Sequence, residues 1–161
     1  MRRLMLFCCL ALPAAAGSAL ASPSFNTADI TVTNAWAPGI TAPGDARGYM
    51  TIDNKGDADQ LNGLSCTDAL GTTMNEPNAK TGSAGLMAPL GTNLMPILIQ
   101  VSIPAHARVE FKPGGRYLKF ESMAYPLKEG MQVFCTLHFT NNGELDVRFA
   151  VAKPGATSPP P

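Results

Sequence analysis

The sequence is poor in the groups that carry acid–base and nucleophilic chemistry. It has two histidines, His106 and His138. His106 lies in "IPAHARVEF", a turn entering a strand, and His138 falls on the polar face of its strand. Each reads as an exposed polar residue rather than a base or a ligand. There is no Gly-x-Ser-x-Gly, no phosphate loop, no His-Glu-x-x-His and no Cys-x-x-Cys. Those absences remove the motif-based routes to hydrolase, nucleotide, zinc-protease and thioredoxin chemistry, and the chain is not read as an enzyme. Charge of one sign is lacking too. Without Arg2 and Arg3, 10 basic side chains face 12 acidic ones, a balance that argues against nucleic acid and against an anionic membrane surface as partners.

Long apolar runs are missing after the first residues. "MRRLMLFCCLALPAAAGSALAS" has a basic start at Arg2 and Arg3, an apolar stretch from Leu4 to Ala16, and a small-x-small site at Ala19-Leu20-Ala21. This predicts a cleaved secretory leader over 1–21, because the apolar part is shorter than the roughly 20 residues a spanning helix needs. Cys8 and Cys9 follow Phe7, where a lipidation box wants a small residue. The remaining chain, about 140 residues, suits one domain with one core and no stable membrane insertion.

What is present is alternation. "DITVTNAW" sets Ile30, Val32 and Asn34 against Thr31, Thr33 and Ala35. "RGYMTIDN" sets Met50 and Ile52 against Tyr49, Thr51 and Asp53, and "MQVFCTLHF" sets Met131, Val133, Cys135, Leu137 and Phe139 against the polar face. "ELDVRFAV" repeats the pattern, and Asn141-Asn142-Gly143 between the last two is a strong hairpin signal. "VEFKPGGRYLKF" reads as two short strands joined through a Pro-Gly-Gly turn. One buried and one wet face per strand, with turns at short intervals, predicts an all-β sandwich or barrel. From Cys66 to Thr92 the alternation weakens, which predicts a long functional loop. "KPGATSPPP", residues 153–161, predicts an unstructured or extended Pro-rich tail beyond a β-domain at 22–152.

Outside the leader the cysteines are Cys66 and Cys135. In an oxidising compartment an even pair so far apart is first a disulfide candidate, with two buried thiols or a metal or redox role as the alternatives. Cys135 faces the core with Val133 and Leu137, and Cys66 stands at the mouth of the long loop. A bridge closing so long a loop would contribute on the order of 4 kcal/mol, and it needs Cα atoms within roughly 7 Å. Met50 and Met131 fall on apolar faces. Met74, Met87 and Met95 lie in or beside the loop, where packing explains them less well, and soft thioethers suit Cu(I).

The segments "ITVTNAWAPGITAPGDARGYMTIDN", "IPAHARVEFKPGGRYLKF" and "PLKEGMQVFCTLHF" resemble the periplasmic PCu(A)C copper chaperones, over about Ile30 to Val151. The resemblance implies a cupredoxin-like Greek-key β-barrel in the periplasm. It also implies Cu(I) as cargo and a copper-acceptor protein of a respiratory oxidase as partner. The family's ligand pattern is His or Met, ten residues, Met, twenty-one residues, then His-x-Met. Met95 matches it, and the last two positions fall on Tyr117 and Lys119. The first falls near Met74, with an insertion over 76–94. A neutral phenol is a poor Cu(I) ligand, and an ammonium has no lone pair and repels the cation. Two readings follow. One is a copper chaperone with a degenerate ligand set, using Met95, Met74 and Met87. The other is a metal-free binding or assembly module that presents Arg116, Tyr117 and Lys119 to a protein partner.

Overall fold

Asn141-Asn142-Gly143 makes the turn its residue types dictate. Gly143 takes a left-handed φ of 73°, open to glycine at no steric cost, and Phe139 N–H donates to the Gly143 carbonyl at 2.7 Å. The strands on either side, β10 (Gln132–Phe139) and β11 (Glu144–Ala152), pair antiparallel from Gln132↔Ala150 to His138↔Glu144. The computed structural model describes residues 23–76 and 100–160 and the backbone of 97–98. The leader expected at 1–21, Met87, Met95 and most of the insertion over 76–94 lie outside the described residues.

The described residues form nine further strands. They are β1 (Phe25–Asn26), β2 (Ile30–Pro38), β3 (Gly44–Asn54), β4 (Asp59–Cys66), β5 (Gly71–Asn75), β6 (Ile97–Leu98), β7 (Val101–Ile103), β8 (Arg108–Phe111) and β9 (Tyr117–Met123). The order across the sheet is β6-β5-β9-β3-β2-β11-β10-β4-β7, with β1 on β2 and β8 on β3. All pairs are antiparallel except β2 with β11. The sheet curls until β5 returns to β4, where the Thr72 hydroxyl donates to the Leu64 carbonyl. The result is the nearly closed, cupredoxin-like barrel that the alternation and the resemblance implied. Among the described residues no helix is long and apolar enough to cross a membrane.

Two local expectations change. Asn34 does not share the face of Ile30 and Val32. It sits at φ 52° in a bulge, and the β2–β3 register shifts between Thr33 and Trp36. Asparagine tolerates that left-handed conformation, and the extra residue turns Ala35 and Ala37 inward and Trp36 outward. The stretch after Cys66 is not all loop, since β5 pairs with β9 along its whole length. Its Gly-Thr-Thr-Met-Asn sequence has one large apolar residue, so no apolar alternation marks it. The Pro-Gly-Gly turn joins two short strands, β8 and β9, as the sequence implies. β8 pairs with Met50–Asp53 and β9 with Gly44–Gly48, so both lie along β3 and the turn carries the chain from one half of the barrel to the other.

The core is filled from the inward faces. Phe120 and Phe149, both fully buried, meet edge to face at 5.3 Å. Gly48 makes room for them, since a Cβ there would come within 2.4 Å of the Phe120 ring. Asp59, 3% exposed, fastens the β10–β11 turn to β4. It accepts from the backbone N–H of Gln60, Asn141 and Asn142 and from the Asn142 side-chain amide, at 2.7 to 3.0 Å. Burial pushes its carboxyl up, and those donors more than offset it, holding the group below the usual carboxylate range.

Candidate functional site

The site is built on β9 and its two neighbours. Gly115 N–H donates to the Lys112 carbonyl, and Lys112 N–H to that of Arg116, so the turn delivers Tyr117 as the first residue of β9. Leu118 and Phe120 then point inward and are fully buried, which sends Tyr117, Lys119 and Glu121 to the outer face. Tyr117 lies opposite Asn75 and Lys119 opposite Thr73 on β5, while Met74 lies opposite Leu118. Directly opposed residues share a face. Met74 therefore belongs to the core, 2% exposed, on the other side of the sheet from Tyr117 and Lys119. The structure does not bring these three predicted positions together. Met87 and Met95 lie outside the described residues.

The two outer positions are engaged with neighbouring side chains. The Lys119 ammonium is 2.8 Å from Asp45 and 3.5 Å from Glu121. The hydrogen bond with Asp45 raises the lysine pKa, against the opposing effect of burial. The same bond lowers that of Asp45, which also accepts from Ser122 N–H. Lys119 thus stays an ammonium, without a lone pair to offer. The Tyr117 ring lies beneath the Arg47 guanidinium at 4.9 Å and joins Trp36, Tyr49 and Ala152 in a small cluster separate from the main core. At 7% exposure Tyr117 is not free contact area on the rim, which corrects that part of the assembly-module reading. Arg116 is held in turn by Glu76 at 3.2 Å and lies over Phe111, with its buried Nε lacking a hydrogen-bond partner among the described residues. Among the described residues no three His, Cys, Asp or Glu side chains group as a metal set.

Cys66 and Cys135 are disulfide-bonded, with Cα atoms 4.0 Å apart. They are directly opposed in the β4–β10 register, so the bridge fastens the strand end from which the 67–76 segment leaves. Sequence reasoning missed one array beside it. Ser65 Oγ lies 3.0 Å from His138 Nε2, and His138 Nδ1 lies 3.2 Å from Glu144. Half of this was legible, because the Asn-Asn-Gly hairpin sets His138 against Glu144; Ser65 arrives from a non-local strand. The order resembles a nucleophile relay, but the His138 and Glu144 side chains are 39% and 73% exposed. Activating a serine takes a water-excluded pocket with preorganised donors, so here the array is a surface hydrogen-bond chain.

Residues 30–151 match the family model described as "Putative lipoprotein LpqE-like". No curated protein matches the chain. Among solved structures, the apo PCuAC domain of PmoF2 superposes with a TM-score of 0.67 at 20% identity, over 84% of this chain and 99% of that one. The apo PCuAC domain of PmoF1 gives 0.65 at 20%, over 82% and 100%. The solution structure of Cu(I)-DR1885 from Deinococcus radiodurans gives 0.53 at 26%, over 78% and 80%. This chain therefore belongs to the LpqE-like family, and its barrel is that of the PCuAC domains.

Proposed function

We propose that this chain works in the periplasm as a copper-chaperone-like domain. Its cargo is Cu(I), and its partner is the copper-acceptor protein of a respiratory oxidase. The observation that carries this reading is the barrel-wide match to PCuAC domains, together with a 26%-identical relative solved with Cu(I). The Cys66–Cys135 bridge fits an exported protein. Among the described residues, the contacts at the family's ligand positions do not favour a cargo site there. Lys119 and Tyr117 are engaged elsewhere, and Met74 faces the core. Cargo binding rests instead on Met95, the position that matches the family pattern, with Met87 as a second thioether. A competition titration of Cu(I) against a chromophoric chelator tests this. One equivalent taken up by the wild type and lost in Met95→Ala supports it; no uptake by the wild type overturns it.

The Lys119–Asp45 pair favours a second reading, a metal-free assembly module on the same barrel. A fixed ammonium beside a cation site opposes loading. If this reading holds, Lys119→Met leaves copper uptake at zero, and the chain still co-purifies with its oxidase-assembly partner without copper.

A further inference from the structure

β11 ends at Ala152, whose carbonyl accepts from Gly39 N–H at 2.9 Å. The chain then turns back on the barrel, with Gly155 at φ 76° and Ala156 N–H donating to the Lys153 carbonyl. Pro154 closes on Gly39, where a Cβ would meet its ring at 3.3 Å. Ala156 packs against the cluster of Trp36, Tyr49 and Tyr117. Thr157, Ser158 and Pro159 form one wall of a cavity of about 270 Å³, with Trp36, Phe111 and Pro113 among its other walls. Composition predicts an unstructured or extended tail; over 153–160 the structure has one that turns back on the barrel.

Two features make this more than a chain end at rest. Trp36 and Tyr49 stand on the outer face, yet each is only 4% exposed, with ring centroids 4.9 Å apart. This apolar layer lies apart from the main core, and Ala156 of the tail packs against it. The latch is also light. Among the described residues, the backbone bond donated beyond Lys153 is the turn's own, Ala156 is half-buried, and Thr157, Ser158 and Pro159 are exposed. Segments held this way open at low free-energy cost. Consecutive prolines favour the polyproline II helix, which loses little entropy on docking, and aromatic-lined grooves are its usual receptor.

We propose that the outer layer of Trp36, Tyr49 and Tyr117 is a docking site for a proline-rich extended segment of a partner protein, held in cis by residues 154–160 until that segment displaces them. The site needs no metal and stands whether or not the chain carries Cu(I). Tethering gives the cis segment a high effective concentration, so the partner must compete with it or the tail must be loosened.

Trp36 is the single tryptophan, so its emission reports this layer alone. The experiment uses the full secreted chain, its Ala156→Glu variant and a synthetic peptide of residues 153–161. Far-UV circular dichroism serves as the folding control, and Ala156→Arg is a second variant of opposite charge. Both variants are expected to red-shift Trp36 emission and raise its quenching by acrylamide. The added peptide should reverse this saturably, binding the variants about tenfold more tightly than the wild type, whose own tail competes. The same peptide with its three final prolines replaced by glycine should not bind. Unchanged emission in folded variants would overturn the cover. Failure of the peptide to bind them, or equal binding of the glycine peptide, would overturn the proline-rich ligand.

Discussion

The β4–β10 pair and the β5–β9 pair do opposite things with their opposed residues. In the first, Cys66 faces Cys135 and the two are covalently joined, while Asp59 gathers four donors around the adjoining turn. Every group there is spent on holding strands together. In the second, the outward positions hold Tyr117 under Arg47 and Lys119 between Asp45 and Glu121. The Lys119 ion pairs are partly exposed and contribute little to the fold. The stability of the barrel resides in the first pair and in the core. The outward positions of the second pair carry polar and charged contacts rather than core packing.

Breaking the first pair should cost most. Cys66→Ser with Cys135→Ser is expected to lose about 4 kcal/mol, since the bridge spans 69 residues of sequence; denaturant unfolding of the wild type and double variant measures it. Asp59→Asn comes next, at about 2–3 kcal/mol, because hydrogen bonds to a buried charge are lost. Its pH dependence has a definite sign. The folded pKa lies below the unfolded value, so the contribution is present above about pH 4 and is lost as pH falls through the folded pKa. Thermal melts from pH 7 to pH 3 should show wild type and Asp59→Asn converging on the acid side. Gly48→Ala should cost about 1–2 kcal/mol by driving a Cβ into the Phe120 ring, which is fully buried and cannot swing away.

The second pair should answer differently. Lys119→Met removes a cation from the rim and adds a thioether there. It is expected to tighten Cu(I) uptake in the competition titration while leaving the melting temperature almost unmoved. A large loss of stability in this variant would erase the distinction between the two pairs.

Much of this contrast was legible from residue order. Alternation in 132–139 and 144–152 with Asn-Asn-Gly between them specified β10 and β11, and the inward face of Cys135 followed from Val133 and Leu137. The illegible parts share a cause. The bulge at Asn34 inverts the faces of β2, and a left-handed asparagine leaves no mark that a solvent-facing one would lack. The strand Gly71–Asn75 has too few apolar residues to announce itself and is made by pairing with β9. The Lys119–Asp45 contact depends on the β3–β9 register, and the seating of Ala156 on an aromatic layer depends on that same bulge. The family resemblance set Met74 and Lys119 in one motif, whereas the strand parity that puts them on opposite faces becomes visible only once β5 is known to be a strand.

The most direct test of the copper account is X-ray absorption at the copper edge on the Cu(I)-loaded chain. The account predicts a first shell of sulfur alone, unchanged in Tyr117→Phe and lost in Met95→Ala. A shell containing nitrogen, or a chain that takes up no Cu(I), would contradict it.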